Sequence, residues 1–324
     1  MSKKDTLTKK YLSQNTVFAD AFNYYLFNGK QVIKPGDLKA QDPTEIAVIQ
    51  KYGKIFPSQK MRDILRLCTI KHSKYATLVL LGIEAQAHVH YAMPVRDYLY
   101  DALNYAAQVE SIQKHHMQAN DLKDGAEFLS GFTKKDRLIP VITLCICFDK
   151  TKWDGPRSLY EMFGKVDPRI RQYVDDYRLN LITPSEIPDF TKFASQLGIV
   201  LEMIQNADDK KRMRAIIETR KEYQSVDVDT VNLINTYTTV KISTDEVDGG
   251  KINMGNAIQE MIEDGRKEGR TEGRKEGRAE ERKEMSKAIA DEIKKLRASG
   301  MPADQILQKI ERDANRNART RKKG

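Results

Sequence analysis

The chain has 324 residues, long enough for one substantial core with further appendages. Hydrophobic residues make up 40% and charged residues 31%, and the formal net charge of +9 favours polyanionic partners without choosing between nucleic acid and an anionic surface. Three cysteines, Cys68, Cys145 and Cys147, all sit in apolar runs, an odd number without framework spacing, which excludes a disulfide scaffold and points to buried small hydrophobes in a reducing cytoplasm.

The opening "MSKKDTLTKKYL" lacks the apolar stretch of a signal peptide, and no apolar run approaches the roughly 18 residues needed to span a bilayer. A cytoplasmic protein with no membrane partner is therefore expected. Residues 15–28 read as a helix, because Phe18, Ala21, Phe22 and Tyr25 recur at helical spacing and Asn28-Gly29 supplies a stop. Residues 30–60 are mixed, with turn signals at Pro35-Gly36, Asp42-Pro43 and Pro57. Two strand-like runs follow, "RDILRLCTI" (62–70) and "YATLVLLGIEAQ" (75–86), and the polar "KHSK" between them predicts a hairpin. Pro94 opens a long helix reaching about His116, with Tyr98, Ala102, Tyr105 and Val109 on one face. "LIPVITLCICF" (138–148) reads as another buried strand.

That order predicts a mixed α/β (α+β) core over residues 1–157, with helices flanking a central mixed sheet. Residues 158–264 form an expected helical subdomain, "DFTKFASQLGIVLEMIQ" and "DKKRMRAIIETRKEYQ" being its clearest helices, and carry no reactive constellation. From Gly265 the chain reads GRKE, GRTE, GRKE, GRAE, ERKE, and residues 265–285 are expected to be either a mobile linker or an oligomerising helix. As an isolated helix this repeat is poor. Gly265, Gly269, Gly273 and Gly277 each cost about 1 kcal/mol against Ala, and the four-residue period stacks like charges. A second copy of the chain, setting a Glu column beside an Arg column, would relieve the repulsion and make a homo-oligomer. Residues 286–324 predict two short helices broken at Gly300 and Pro302, then a basic, disordered arm.

The end of the second hairpin strand is unusual. "YATLVLLGIEAQ" is core-like until it places Glu84 and Gln86 two residues apart, hence on one face. A symmetric turn at "KHSK" sets Ile70 opposite Tyr75 and Asp63 opposite Gly82, with Glu84 two residues further on the same face and roughly 7–8 Å away at Cα. Two carboxylates aimed at one point repel unless something positive lies between them. Mg²⁺ or Mn²⁺ suits such an oxygen-rich site, and Gln86 is placed to hold a water or a phosphate oxygen. The same spacing also describes two solvated strand-end acids.

Asp63, then Glu84-x-Gln86 after an apolar strand, then a helix, resembles the PD-(D/E)XK nuclease superfamily. "FADAFNYYLFNG", "RDILR", "LLGIEAQ", "YAMPVRDYLYDALNY" and "LIPVITLCICFDKTKWDGPRSLYEMF" resemble more closely the Rpn family, recombination-promoting nucleases also labelled transposase-like, over most of residues 10–260. The resemblance implies a restriction-endonuclease-like core and a Mg²⁺- or Mn²⁺-dependent DNA endonuclease, with Asp63 and Glu84 as metal ligands and Gln86 as the third catalytic side chain. Gln86 stands where the superfamily usually has Lys, although Gln is the usual occupant in Rpn-like chains. A neutral amide orients water but brings no charge to it. Asp20 and Asn23 on the first helix, and Arg96 and Tyr100 on the helix after the strand, fall at positions implied to support the site. The competing expectation is a catalytically inactive DNA-binding or assembly protein that retains the nuclease fold. His88, His90 and His115-His116 suggest zinc only superficially, since no further ligand completes a familiar spacing.

Overall fold

The computed structural model describes residues 2–40, 63–72, 75–244 and 249–320. The turn signals expected at Asp42-Pro43 and Pro57, and the end of the basic arm, lie outside the described residues. The chain divides into two compact units, Met1–Ala257 and Ile258–Gly324.

The first unit begins with helix α1 (Lys3–Leu12), capped by the Ser2 hydroxyl, which accepts the Asp5 N–H at 3.1 Å. Its sequence is too polar to stand out by periodicity, yet Thr8, Tyr11 and Leu12 are buried. Helix α2 (Asn15–Phe27) follows the expectation closely and ends at Asn28, whose left-handed backbone (φ 53°) satisfies the helix terminus.

A mixed sheet of five strands forms the centre, in spatial order β1 (Leu38–Ala40), β2 (Ile64–His72), β3 (Tyr75–Gln86), β4 (Val141–Cys147) and β5 (Asn180–Ile182). The first three strands are antiparallel, whereas β3–β4 and β4–β5 are parallel. A parallel pair needs a crossover, and α3 (Met93–Ala119) lies in the connection between β3 and β4. The three cysteines are free and buried, as expected. Residues 158–257 belong to this same unit. They contribute β5 to the sheet and the helices α4 (Leu197–Gln205), α5 (Lys210–Thr219) and α6 (Val228–Tyr237), so the units do not divide at the boundary expected after residue 157.

The hairpin register differs from the expected one. β2 continues through Lys71 and His72, so His72 pairs with Tyr75 and Ile64 with Ile83. Asp63, one residue before Ile64, is thereby carried level with Glu84 instead of Gly82. The displacement is two residues, and because strand faces alternate with period two, the predicted face is preserved.

The segment expected as one helix over 189–205 is broken into a 3-10 turn (Phe190–Lys192) and α4. The reason is local. The backbone N–H groups of Ala194 and Ser195 are turned to the Asp20 carboxylate, at 2.9 and 2.8 Å, and leave the helical ladder.

At the far end of α3 the largely buried His116 holds two aspartates of the following loop, with Nδ1 2.6 Å from Asp121 and Nε2 3.0 Å from Asp136. Both carboxylates raise its pKa, hydrogen bonding being the larger cause. A raised pKa in the fold means the latch is fully present below the ordinary histidine value of about 6.5 and is lost as pH climbs through the folded value. Hydrogen exchange of residues 121–136 should accelerate between pH 6 and pH 9 beyond the intrinsic chemical rate. His116→Gln should remove that extra dependence.

In the second unit the repeat is helical. Helix α7 (Met254–Ala298) runs through it unbroken, and α8 (Ala303–Thr320) follows after Gly300, whose φ of 79° suits only glycine. Two short helices and a disordered arm were expected, whereas α7 is one 45-residue helix and α8 extends to Thr320. A Cβ added at Gly269, Gly273 or Gly277 meets nothing within 4 Å, so nothing in the fold requires glycine there. Gly273→Ala with Gly277→Ala should slow hydrogen exchange across residues 265–285, each change adding about 1 kcal/mol of helix stability. Unchanged exchange would show that the repeat is not helical in solution.

Candidate active site

Strand pairing delivers two acids to one end of the hairpin, where each carboxylate accepts a backbone N–H from the other's strand. The Asp63 N–H donates to Glu84 Oε1 at 3.2 Å, and the Ala85 N–H donates to Asp63 Oδ2 at 2.9 Å. Neither acid is a solvated strand end. Glu84 is 0% exposed and the Asp63 side chain 6%.

Two buried carboxylates in contact require compensating charge. Arg96, in the first turn of α3, sets Nη2 3.0 Å from Glu84 Oε2 and donates from Nε to the Tyr100 hydroxyl at 3.2 Å. Lys9 of α1 sets Nζ 2.9 Å from Asp63 Oδ1, with Asp5 a further partner at 3.5 Å. Burial lowers the pKa of both cations, but the facing acids outweigh it and both end above their usual values. Burial first, then the Glu84 charge, raises the Tyr100 phenol. Asp63 Oδ2 and Glu84 Oε1 thus accept backbone amides, while Asp63 Oδ1 and Glu84 Oε2 face cationic side chains.

Gln86 follows Glu84 on the same strand face. The two pair in parallel register with Cys147 and Cys145 of β4, and the Gln86 carbonyl accepts the Phe148 N–H at 2.8 Å. Arg96 and Tyr100 stand where the sequence put them, four apart on one helix face beside Glu84.

Asp20 and Asn23 are spent on packing. Besides Ala194 and Ser195, Asp20 takes the Ser195 hydroxyl at 2.7 Å, and Asn23 bonds the backbone of Val32 and Ile33. The structure shows neither bonded to Asp63 or Glu84. His88 pairs with Asp149 at 2.9 Å, away from the His116 latch.

Sequence reasoning missed Lys9 and Asp97. Asp97, fully buried on α3, joins Glu84 around Cys145, whose thiol is raised well above its usual pKa by burial first and by Asp97 next. An acid immediately after the predicted Arg96 was the available signal for Asp97. Nothing in sequence ties Lys9 to Asp63. A cleft of about 570 Å³ lies elsewhere, along Tyr11, Gln14, Ser195 and Asp229. Its aspartates are already paired with lysines, Asp227 with Lys251 at 2.5 Å and Asp229 with Lys10 at 3.4 Å.

Among the described residues no group of three or more His, Cys, Asp or Glu side chains is arranged to hold a metal ion. A Mg²⁺ ion asks for less, since it keeps several waters and is commonly held by one or two carboxylates together with substrate phosphate. Asp63 and Glu84 supply hard oxygens, each with a second lone pair beyond its present hydrogen bond. Their donor type is the one such an ion takes, while the cations now facing them are Lys9 at Asp63 Oδ1 and Arg96 at Glu84 Oε2. Compared with known protein families, with characterised proteins and with solved structures, the chain has no match.

The Arg96–Glu84 pair is largely buried, so removing one partner strands the other charge. Arg96→Leu should cost about 3 kcal/mol in urea unfolding, and Arg96→Leu with Glu84→Leu should recover most of it. A loss below about 1 kcal/mol in the single variant would mean that water, not Arg96, compensates Glu84.

Proposed function

We propose that this protein is a divalent-metal-dependent DNA endonuclease of the Rpn type with a restriction-endonuclease-like core. The observation that carries the reading is that the Asp63 and Glu84 carboxylates each accept a backbone N–H from the other's strand, Glu84 from Asp63 and Asp63 from Ala85, at the end of an antiparallel hairpin with Gln86 beyond them on the same face. The order of elements supports it: a helix, three antiparallel strands, a crossover helix and a parallel strand. The sequence resemblance rests on the same residues.

Asp63 and Glu84 would hold the ion, which when bound supplies positive charge against a phosphate on which negative charge develops. Arg96, itself bonded to the Tyr100 hydroxyl, holds the Glu84 carboxylate, so it need not reorganise as substrate arrives. The Gln86 amide, accepting through oxygen and donating through nitrogen, can orient the attacking water against phosphate. The net charge of +9 would attract the polyanion in a sequence-independent, salt-sensitive manner.

A second reading has an observation of its own. Each acid of the pair already has a cationic partner within the protein, Lys9 on Asp63 and Arg96 on Glu84, which also suits a charge-balanced structural core in a DNA-binding or assembly protein without catalysis. Supercoiled plasmid separates the two. The endonuclease should nick it with Mg²⁺ or Mn²⁺, Asp63→Asn should abolish nicking, and Glu84→Gln should weaken Mn²⁺ binding by calorimetry. Plasmid binding without cleavage in Mg²⁺, Mn²⁺ and Co²⁺ would establish the second reading.

A further inference from the structure

Water attacks a phosphodiester best once it has given up a proton, which leaves negative charge on its oxygen, and a fixed cation beside that oxygen favours this ionisation. Gln86 cannot supply this charge. Arg96 is committed to Glu84 and Tyr100, against a residue with no solvent exposure. The other cation bonded to the acid pair among the described residues is Lys9, whose side chain is 24% exposed and lies on the wetter member of the pair.

Its helix is firmly held. The Thr8 and Tyr237 hydroxyls meet at 2.9 Å, the Tyr11 and Thr230 hydroxyls at 3.2 Å, and Arg66 of β2 donates to the Ser13 carbonyl at 3.1 Å. Leu12 is fully buried. Lys4, one turn back, is over the Tyr237 ring at 3.9 Å, which leaves Lys9 as the lysine that α1 offers to Asp63. The anchoring holds the base of the Lys9 side chain beside Asp63, with its ammonium 2.9 Å from Asp63 and 3.5 Å from Asp5.

We propose that Lys9 is the positively charged side chain facing the attacking water, in place of a charge that Gln86 does not carry. The inference rests on the endonuclease reading. In the step, the water oxygen bonds to phosphorus and the bond from phosphorus to the leaving oxygen breaks. The leaving oxygen keeps the electron pair and takes a proton from solvent, and the attacking water gives a proton to solvent. The products are one alcohol and one phosphate monoester. Lys9 stays protonated throughout, donating a hydrogen bond to the water oxygen as that water gives up its proton. The same charge lies close to any divalent ion held by Asp63, so it must weaken ion binding in the ground state while speeding the reaction.

That opposition provides the test. In the full-length protein, Lys9→Met should bind Mn²⁺ about tenfold more tightly by calorimetry. It should nick plasmid at least ~10²-fold more slowly at saturating Mn²⁺. Lys9→Arg, which keeps the charge, should bind Mn²⁺ like the wild type and recover part of the rate. A merely structural role would weaken both properties together. Mn²⁺ affinity that is unchanged or weaker in Lys9→Met overturns the proposal, because the ammonium then is not beside the ion. Tighter binding with wild-type nicking also overturns it and leaves Lys9 a simple counter-ion. Absence of nicking by the wild type itself removes the endonuclease reading, and this inference with it.

Discussion

Everything in the first unit that bears on chemistry depends on two acids being held together out of water. Carboxylates so close would separate or take up protons if left to themselves. Here each is tied to the other's strand by a backbone N–H, and each receives one cation from a different helix, Lys9 from α1 and Arg96 from α3. The sheet sets the spacing and the helices set the charge. Neither element alone makes a site, which is why the acids stand at the edge of the hairpin, where both helices can reach them.

The two ion pairs differ in a way that matters for function. Arg96 offers a planar, multidentate group to a fully buried carboxylate and to a phenol, an arrangement costly to disturb. Lys9 offers a single ammonium on a flexible stem to the more accessible acid, and it can be displaced without opening the core. The site is rigid on the Glu84 side and adjustable on the Asp63 side.

Much of this was legible in the sequence. The interruption of an apolar strand by Glu84 and Gln86 marked the site, and Pro94 marked the start of the helix bringing Arg96 and Tyr100 back to it. The hairpin face was right although the register was not, because extension of β2 by Lys71 and His72 moved the pairing by an even number of residues. Asp20 became a site candidate through the resemblance, and Asn23 through its place three residues on along the same helix face. Their partners are backbone amides and carbonyls of later segments, a use of polar side chains that local pattern does not reveal. Lys9 was invisible for a related reason, since its partner is distant in the chain and α1 carries too little apolar periodicity to be recognised. The sequence left the repeat open between a linker and a helix, because propensity counts against its glycines; the structure runs a helix through them.

The most direct measurement is a crystal structure of the full-length protein grown with Mn²⁺, with anomalous data collected at the manganese edge. The account expects an anomalous peak in contact with oxygens of both Asp63 and Glu84, with the Lys9 ammonium moved from Asp63 Oδ1 towards solvent. A map with no peak between the two acids, and Lys9 still bonded to Asp63, would contradict it.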